Sequence, residues 1–132
     1  MSLDLDTSVV LRLITGQPTD QLEAARACVA SAAIPVTVSD LVVAESYYAL
    51  CHHYHVPHAD AVDALRALLD DSRIRGNGVA RHVLAEPATR QAPKSAAGFV
   101  DRLIHAGATF DQSTLVTFDR ALARLHGVQL LC

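Results

Sequence analysis

The stretch Leu3-Asp4-Leu5-Asp6-Thr7-Ser8-Val9-Val10 changes character at its centre. Leucines at alternate positions read as a short strand, and Asp6 with Thr7 and Ser8 then opens a helix. A carboxylate thereby stands at the C-terminal edge of a strand, where open α/β sheets bind their ligands. Thr114-Leu115-Val116-Thr117-Phe118 followed by Asp119 repeats the arrangement. Working outward, short strands are predicted at residues 3–6, 35–38, 73–75, 114–118 and 128–131. Helices are predicted at 7–15, 20–33, 39–55, 58–70, 78–90, 99–108 and 120–125. Short strands alternating with helices predict an α/β fold with a parallel sheet.

Gly16-Gln17-Pro18, Val56-Pro57, Gly76-Asn77-Gly78 and Gly127 are turn signals rather than linkers, so residues 1–132 are expected to form a single domain. The stretch from Glu86-Pro87 to Gly98, with two prolines and small residues, is the expected irregular, mobile loop. A hydrophobic share of 51% against 19% charged residues argues against disorder. No apolar run approaches the roughly 20 residues of a membrane span, and the N-terminus lacks the basic region of a secretory signal. Cys28, Cys51 and Cys132 are odd in number and show no framework spacing, which favours reduced thiols in the cytoplasm.

The net charge of -3 argues against nucleic-acid binding through a broad basic surface alone. It leaves room for a metal-dependent nuclease, since two divalent cations held by acids would bring the formal charge to about +1. Asp6 and Asp119 each have a simpler role open to them, as helix N-caps. Glu45 shares a helical face with Leu41, Tyr48 and His52, where a glutamate either reaches a polar cleft or rims the core. Asp101, with Ile104 and Ala108 on its side of a helix, poses the same question. Carboxylates that converge repel one another and are kept together chiefly to bind hard cations, with Mg2+ or Mn2+ the natural occupant. Arg12 and Arg120 are candidate phosphate contacts.

Two other patterns carry chemistry. Cys51-His52-His53-Tyr54-His55 with His58 matches no usual zinc spacing and reads as the polar C-terminal turn of a helix. Asp4-Leu5-Asp6 resembles the opening of aspartate-nucleophile phosphatases, but Lys94, the only lysine, falls in a loop and the acid pair Asp70-Asp71 ends a helix.

Taken together, Leu5-Asp6-Thr7-Ser8-Val9-Val10, Leu41-Val42-Val43-Ala44-Glu45, Gly98-Phe99-Val100-Asp101-Arg102-Leu103-Ile104 and Leu115-Val116-Thr117-Phe118-Asp119-Arg120 resemble the successive motifs of PIN-domain proteins, particularly VapC-type toxins. The resemblance covers essentially the whole chain, including the closing Gly127-Val128-Gln129-Leu130-Leu131. It implies a three-layer α/β/α sandwich with a short, mostly parallel central sheet. It also implies an endoribonuclease that uses one or two Mg2+ or Mn2+ ions, acts on RNA, forms a homodimer and is neutralised by a protein antitoxin. By the same resemblance Asp6, Glu45, Asp101 and Asp119 are the catalytic, metal-binding acids, and Thr7 or Thr117 helps to orient them. The segment ahead of Asp101, Lys94-Ser95-Ala96-Ala97-Gly98, carries no additional acid. A catalytically silent PIN-like binding module is the other reading of the same motifs.

Overall fold

The structure is a computed structural model and describes residues 2–132. Its first strand is short because only Leu3 and Leu5 are apolar in a run otherwise made of aspartates. Ladder pairing is confined to a bridge between Asp4 and Thr37. Asp6, in extended conformation, then hands the chain to α1 (Thr7–Thr15), which Gly16 ends in the left-handed region at φ 73. That conformation lets the Gly16 N–H bond to the Arg12 carbonyl, and glycine adopts it without a Cβ penalty. α2 (Thr19–Ser31) returns the chain to β1 (Val36–Val38). Ser39 caps α3 (Asp40–His52), its hydroxyl accepting from the Val42 N–H at 3.2 Å. After Pro57 come α4 (His58–Asp70) and β2 (Ile74–Gly76).

Hydrogen bonding makes β1 the centre of a small parallel sheet. Val36, Thr37 and Val38 pair with Ile74, Arg75 and Gly76. Val36 N–H and Val38 C=O serve the β2 side, bonding Arg73 O and Asn77 N. Thr37 serves the opposite edge, donating to Leu3 O and accepting from Leu5 N, both at 2.8 Å. Alternation along an extended chain is what allows one residue triplet to hold two neighbours.

The second half departs from expectation in three places. The helix predicted over residues 78–90 is two helices, α5 (Ala80–Ala85) and α6 (Pro87–Gln91). Pro87 lacks an N–H and drives Glu86 to ψ 124, so the break lies where the proline dictates. The expected loop from residue 86 therefore begins as helix, and Thr89 within it is buried with its hydroxyl on Val83 O. α7 (Phe99–Phe110) leads to β3 (Val116–Thr117), a 3-10 turn (Leu122–Arg124) in place of the predicted helix over 120–125, and β4 (Gln129–Leu130).

β3 and β4 pair in parallel as a separate two-stranded sheet rather than extending the first one. Val116, Phe118, Leu130 and Leu131 are all exposed, so little apolar burial draws this pair onto β1. The single central sheet expected from the sequence is thus two short parallel sheets within an α/β chain. The core lies on the first, where Val36, Val38 and Ile74 meet Val10, Val43, Leu50, Leu65, Leu69, Val83 and Phe99. Each such side chain contributes about 1.5–3 kcal/mol by leaving water. No helix among the described residues is long and apolar enough to cross a membrane.

Candidate functional site

Asp6 stands at the C-terminal end of the Leu3–Leu5 segment, exposed, with no capping bond from its side chain into α1. Its Oδ2 instead accepts from the Ser8 hydroxyl at 3.2 Å. Thr7, the next residue, donates its hydroxyl to Glu45 Oε1 at 3.0 Å and ties the start of α1 to the middle of α3. The structure thus brings the Asp6 turn and Glu45 together across 38 positions of sequence. The face of α3 that carries Glu45 points outward, since Leu41, Tyr48 and His52 on it are also exposed. Val43, Ser46 and Leu50 supply the buried side.

Asp101 lies half-buried in the first turn of α7, where a carboxylate is favoured by the helix dipole. Phe99, two residues earlier, packs its ring 4.9 Å from that of Tyr47, two residues beyond Glu45. That contact anchors the start of α7 on α3. Asp119 follows β3 and behaves differently from Asp6. Its Oδ1 accepts from the backbone N–H groups of Ala121 and Leu122 at 2.8 and 3.2 Å, and its own N–H donates to Thr117 Oγ1 at 3.0 Å. The capping role open to either aspartate is therefore taken by Asp119 and not by Asp6. Among the described residues, no three His, Cys, Asp or Glu side chains are grouped closely enough to hold one ion. The two arginines also differ: Arg12 donates Nε to Gln21 Oε1 at 2.6 Å between α1 and α2, whereas Arg120 is exposed beside Asp119.

The donor chemistry of the Asp6 and Glu45 pair suits a hard divalent cation. Mg2+ is commonly held by one or two carboxylates, with water and substrate phosphate completing its shell, so a closed cage of protein ligands is not required. Both acids are exposed, which leaves that space open.

Two further arrangements were not legible in the sequence. Asp40 at the start of α3 accepts from the Val79 and Ala80 N–H groups at 3.0 and 2.9 Å and so caps α5. A Cβ at Gly78 would collide with that carboxylate, which gives the glycine of Asn77-Gly78 a steric reason. The acid in the first turn of a predicted helix was the available signal, but its partner lies 39 residues away. His58 does not belong to the polar end of α3; it opens α4, half-buried, between Tyr47 Oη at 2.6 Å and the Thr89 carbonyl at 2.9 Å. His52 and His53 do close α3, and with His55 they are exposed. Burial, together with Cys51, pushes the Tyr47 phenol up to about 12. Asp4, the first acid of the phosphatase-like triplet, is engaged by the Thr37 hydroxyl.

The chain matches the PIN domain family over residues 5–128, and it belongs to that family. PIN domains are in general metal-dependent nucleases. No curated protein matches the chain.

Proposed function

We propose that this chain is a Mg2+- or Mn2+-dependent endoribonuclease of the VapC toxin type, which cleaves RNA phosphodiester bonds and is neutralised by a protein antitoxin. The observation that carries the proposal is the Thr7 to Glu45 hydrogen bond, which ties Glu45 to the residue that follows Asp6, an aspartate whose side chain makes no capping bond. The family match spans all four acids. Asp6 and Glu45 are the primary metal ligands in this proposal, with Asp101 and Asp119 as further ligands of one or two ions. A divalent ion held there would supply activation of water and stabilisation of the leaving oxygen. Thr7 fixes the Glu45 carboxylate, Ser8 fixes that of Asp6, and Thr117 holds the turn that presents Asp119. Arg120, exposed after Asp119, is the proposed contact to a substrate phosphate, and Arg12 would reach one only by leaving Gln21.

The exposed stripe of Leu41 and Tyr48 on α3 supports docking of a partner, either the antitoxin or a second copy in a homodimer. Three free cysteines, two of them half-buried, support a reducing cytoplasmic setting. The test is cleavage of single-stranded RNA by antitoxin-free protein. Cleavage requires Mg2+ or Mn2+, stops on chelation, and falls at least about 100-fold in Asp6→Asn, as loss of a metal ligand or its support does. Full activity of Asp6→Asn, or activity unchanged by chelation, would refute the proposal.

A second reading, a catalytically silent PIN module whose pocket takes a partner's arginine, is favoured by the capping bonds of Asp119 and by the lack of a three-donor group among the described residues. No cleavage of any RNA together with no metal binding in calorimetry would establish it.

A further inference from the structure

The chain has three phenylalanines, and they fall into two classes. Phe99 is 1% exposed in the core, whereas Phe110 and Phe118 are 79% and 76% exposed. Phe118 directly precedes Asp119 and Arg120, both exposed. The residues on either side of it, Thr117 and Asp119, are both hydrogen-bonded. Thr117 O accepts from Leu131 N at 2.7 Å, Thr117 Oγ1 takes the Asp119 N–H, and Asp119 Oδ1 takes the N–H groups of Ala121 and Leu122. The ring is therefore presented to solvent by a fixed backbone, and ordering that segment for a ligand costs little entropy.

The cations at this turn are among those that make no ion pair. Arg73 and Arg90 pair with Asp71 and Asp63, and Arg66 and Arg81 share Asp70. Arg120 and Arg124 make no ion pair among the described residues, and they follow the Phe118 turn on its C-terminal side; Arg12, Arg26, Arg75, Lys94 and Arg102 also make none, so what sets this turn apart is the exposed ring that precedes its two arginines. An exposed ring followed by an acid and uncommitted guanidinium groups matches the chemistry of single-stranded RNA, whose unstacked bases bind aromatic faces while arginine takes the phosphates.

We propose that Phe118 is a base-stacking platform that seats an unpaired nucleobase of the RNA beside Asp119, with Arg120 on the adjoining phosphate. Phe118 is thus a residue that selects unpaired over duplex RNA at this site. The proposal rests on the ribonuclease reading for its substrate, but its test is a binding measurement that does not need cleavage.

The chain contains no tryptophan, so Phe118→Trp in an Asp6→Asn background provides a single reporter. Its emission is expected to be quenched by a single-stranded 12-mer RNA, much less by the matching duplex, and less as salt is raised. Phe110→Trp in the same background is expected to remain unquenched. Phe118→Ala is expected to weaken binding of the 12-mer about tenfold or more, and Phe118→Tyr to restore it. In the cleavage assay Phe118→Ala raises KM more than it lowers kcat. The proposal is overturned if the 12-mer binds without quenching, if Phe118→Ala binds it as well as its parent does, or if no RNA binds. It is equally overturned if emission shifts with protein concentration alone, which would make Phe118 a protein contact. Quenching by RNA in a chain that never cleaves would sustain the platform while ending the nuclease proposal, so the two failures are separable.

Discussion

Leu5-Asp6 and Phe118-Asp119 are built alike, an extended segment that ends in an aspartate and turns, yet their surroundings differ. Leu5 is buried against a sheet centred on β1, and α1 behind it drives Val10 and Leu11 into the core. Packing fixes that turn from behind, so the Asp6 carboxylate is not needed to hold it. Around Asp119 the sheet has two residues per strand and exposed apolar side chains, and the carboxylate itself ties down the next two N–H groups. Where tertiary burial is large, the acid is left without a capping role; where it is small, the acid is drawn into local structure.

The largest expected effect sets the two regions directly against each other. Leu65→Ala, at a fully buried position on the β1 side, should cost about 2–5 kcal/mol in urea denaturation. Val116→Ala in the exposed β3 should stay within about 0.5 kcal/mol. Equal costs would mean that the β3–β4 unit buries more in solution than its exposure indicates.

Gly78→Ala should destabilise by about 1–3 kcal/mol, because the new Cβ drives the Asp40 carboxylate off two N–H groups. In an Asp40→Ala background the same substitution should cost much less. Additivity across that double-mutant cycle would rule out the steric account.

The capping contrast is smaller and more specific. Asp119→Ala should lose about 1 kcal/mol, Asp119→Asn should lose almost none because asparagine caps as well, and Asp6→Ala should leave stability unchanged. A loss in Asp6→Ala matching that in Asp119→Ala would erase the distinction between the two turns.

Alkaline titration gives the smallest effect. Tyr47 ionises at about 12 in the folded chain against 10.0 for the free side chain. The unfolded chain therefore releases its proton first, and the stability contributed below pH 10 is lost as pH rises from 10 towards 12. Thermal melting over that range should fall more steeply for the parent than for Tyr47→Phe; parallel slopes would show that the phenol is not held neutral.

Much of this was readable from the chain. Periodicity placed α1, α4 and the start of α7, because each has an apolar stripe bounded by a turn residue or proline. It overreached at residues 78–90, where Pro87 was outweighed by the helical spacing around it, and at 120–125, where Asp119 closes a turn too short to propagate. The acids were visible as residues, but their uses were not. The Glu45 to Thr7 bond and the Asp40 cap join positions 38 and 39 apart, and no local pattern encodes such a pairing.

The sequence by itself determined the α/β class, the strand-to-acid turns and the family, since these depend on local spacing and on motifs in a fixed order. Only the tertiary structure decided that Asp6 does not cap its helix while Asp119 ties down its turn, that Glu45 is reached from α1, and that the strands divide into two sheets. The physical reason is that a carboxylate or a strand edge bonds to whatever group packing brings within about 3 Å, and packing is a property of the whole chain.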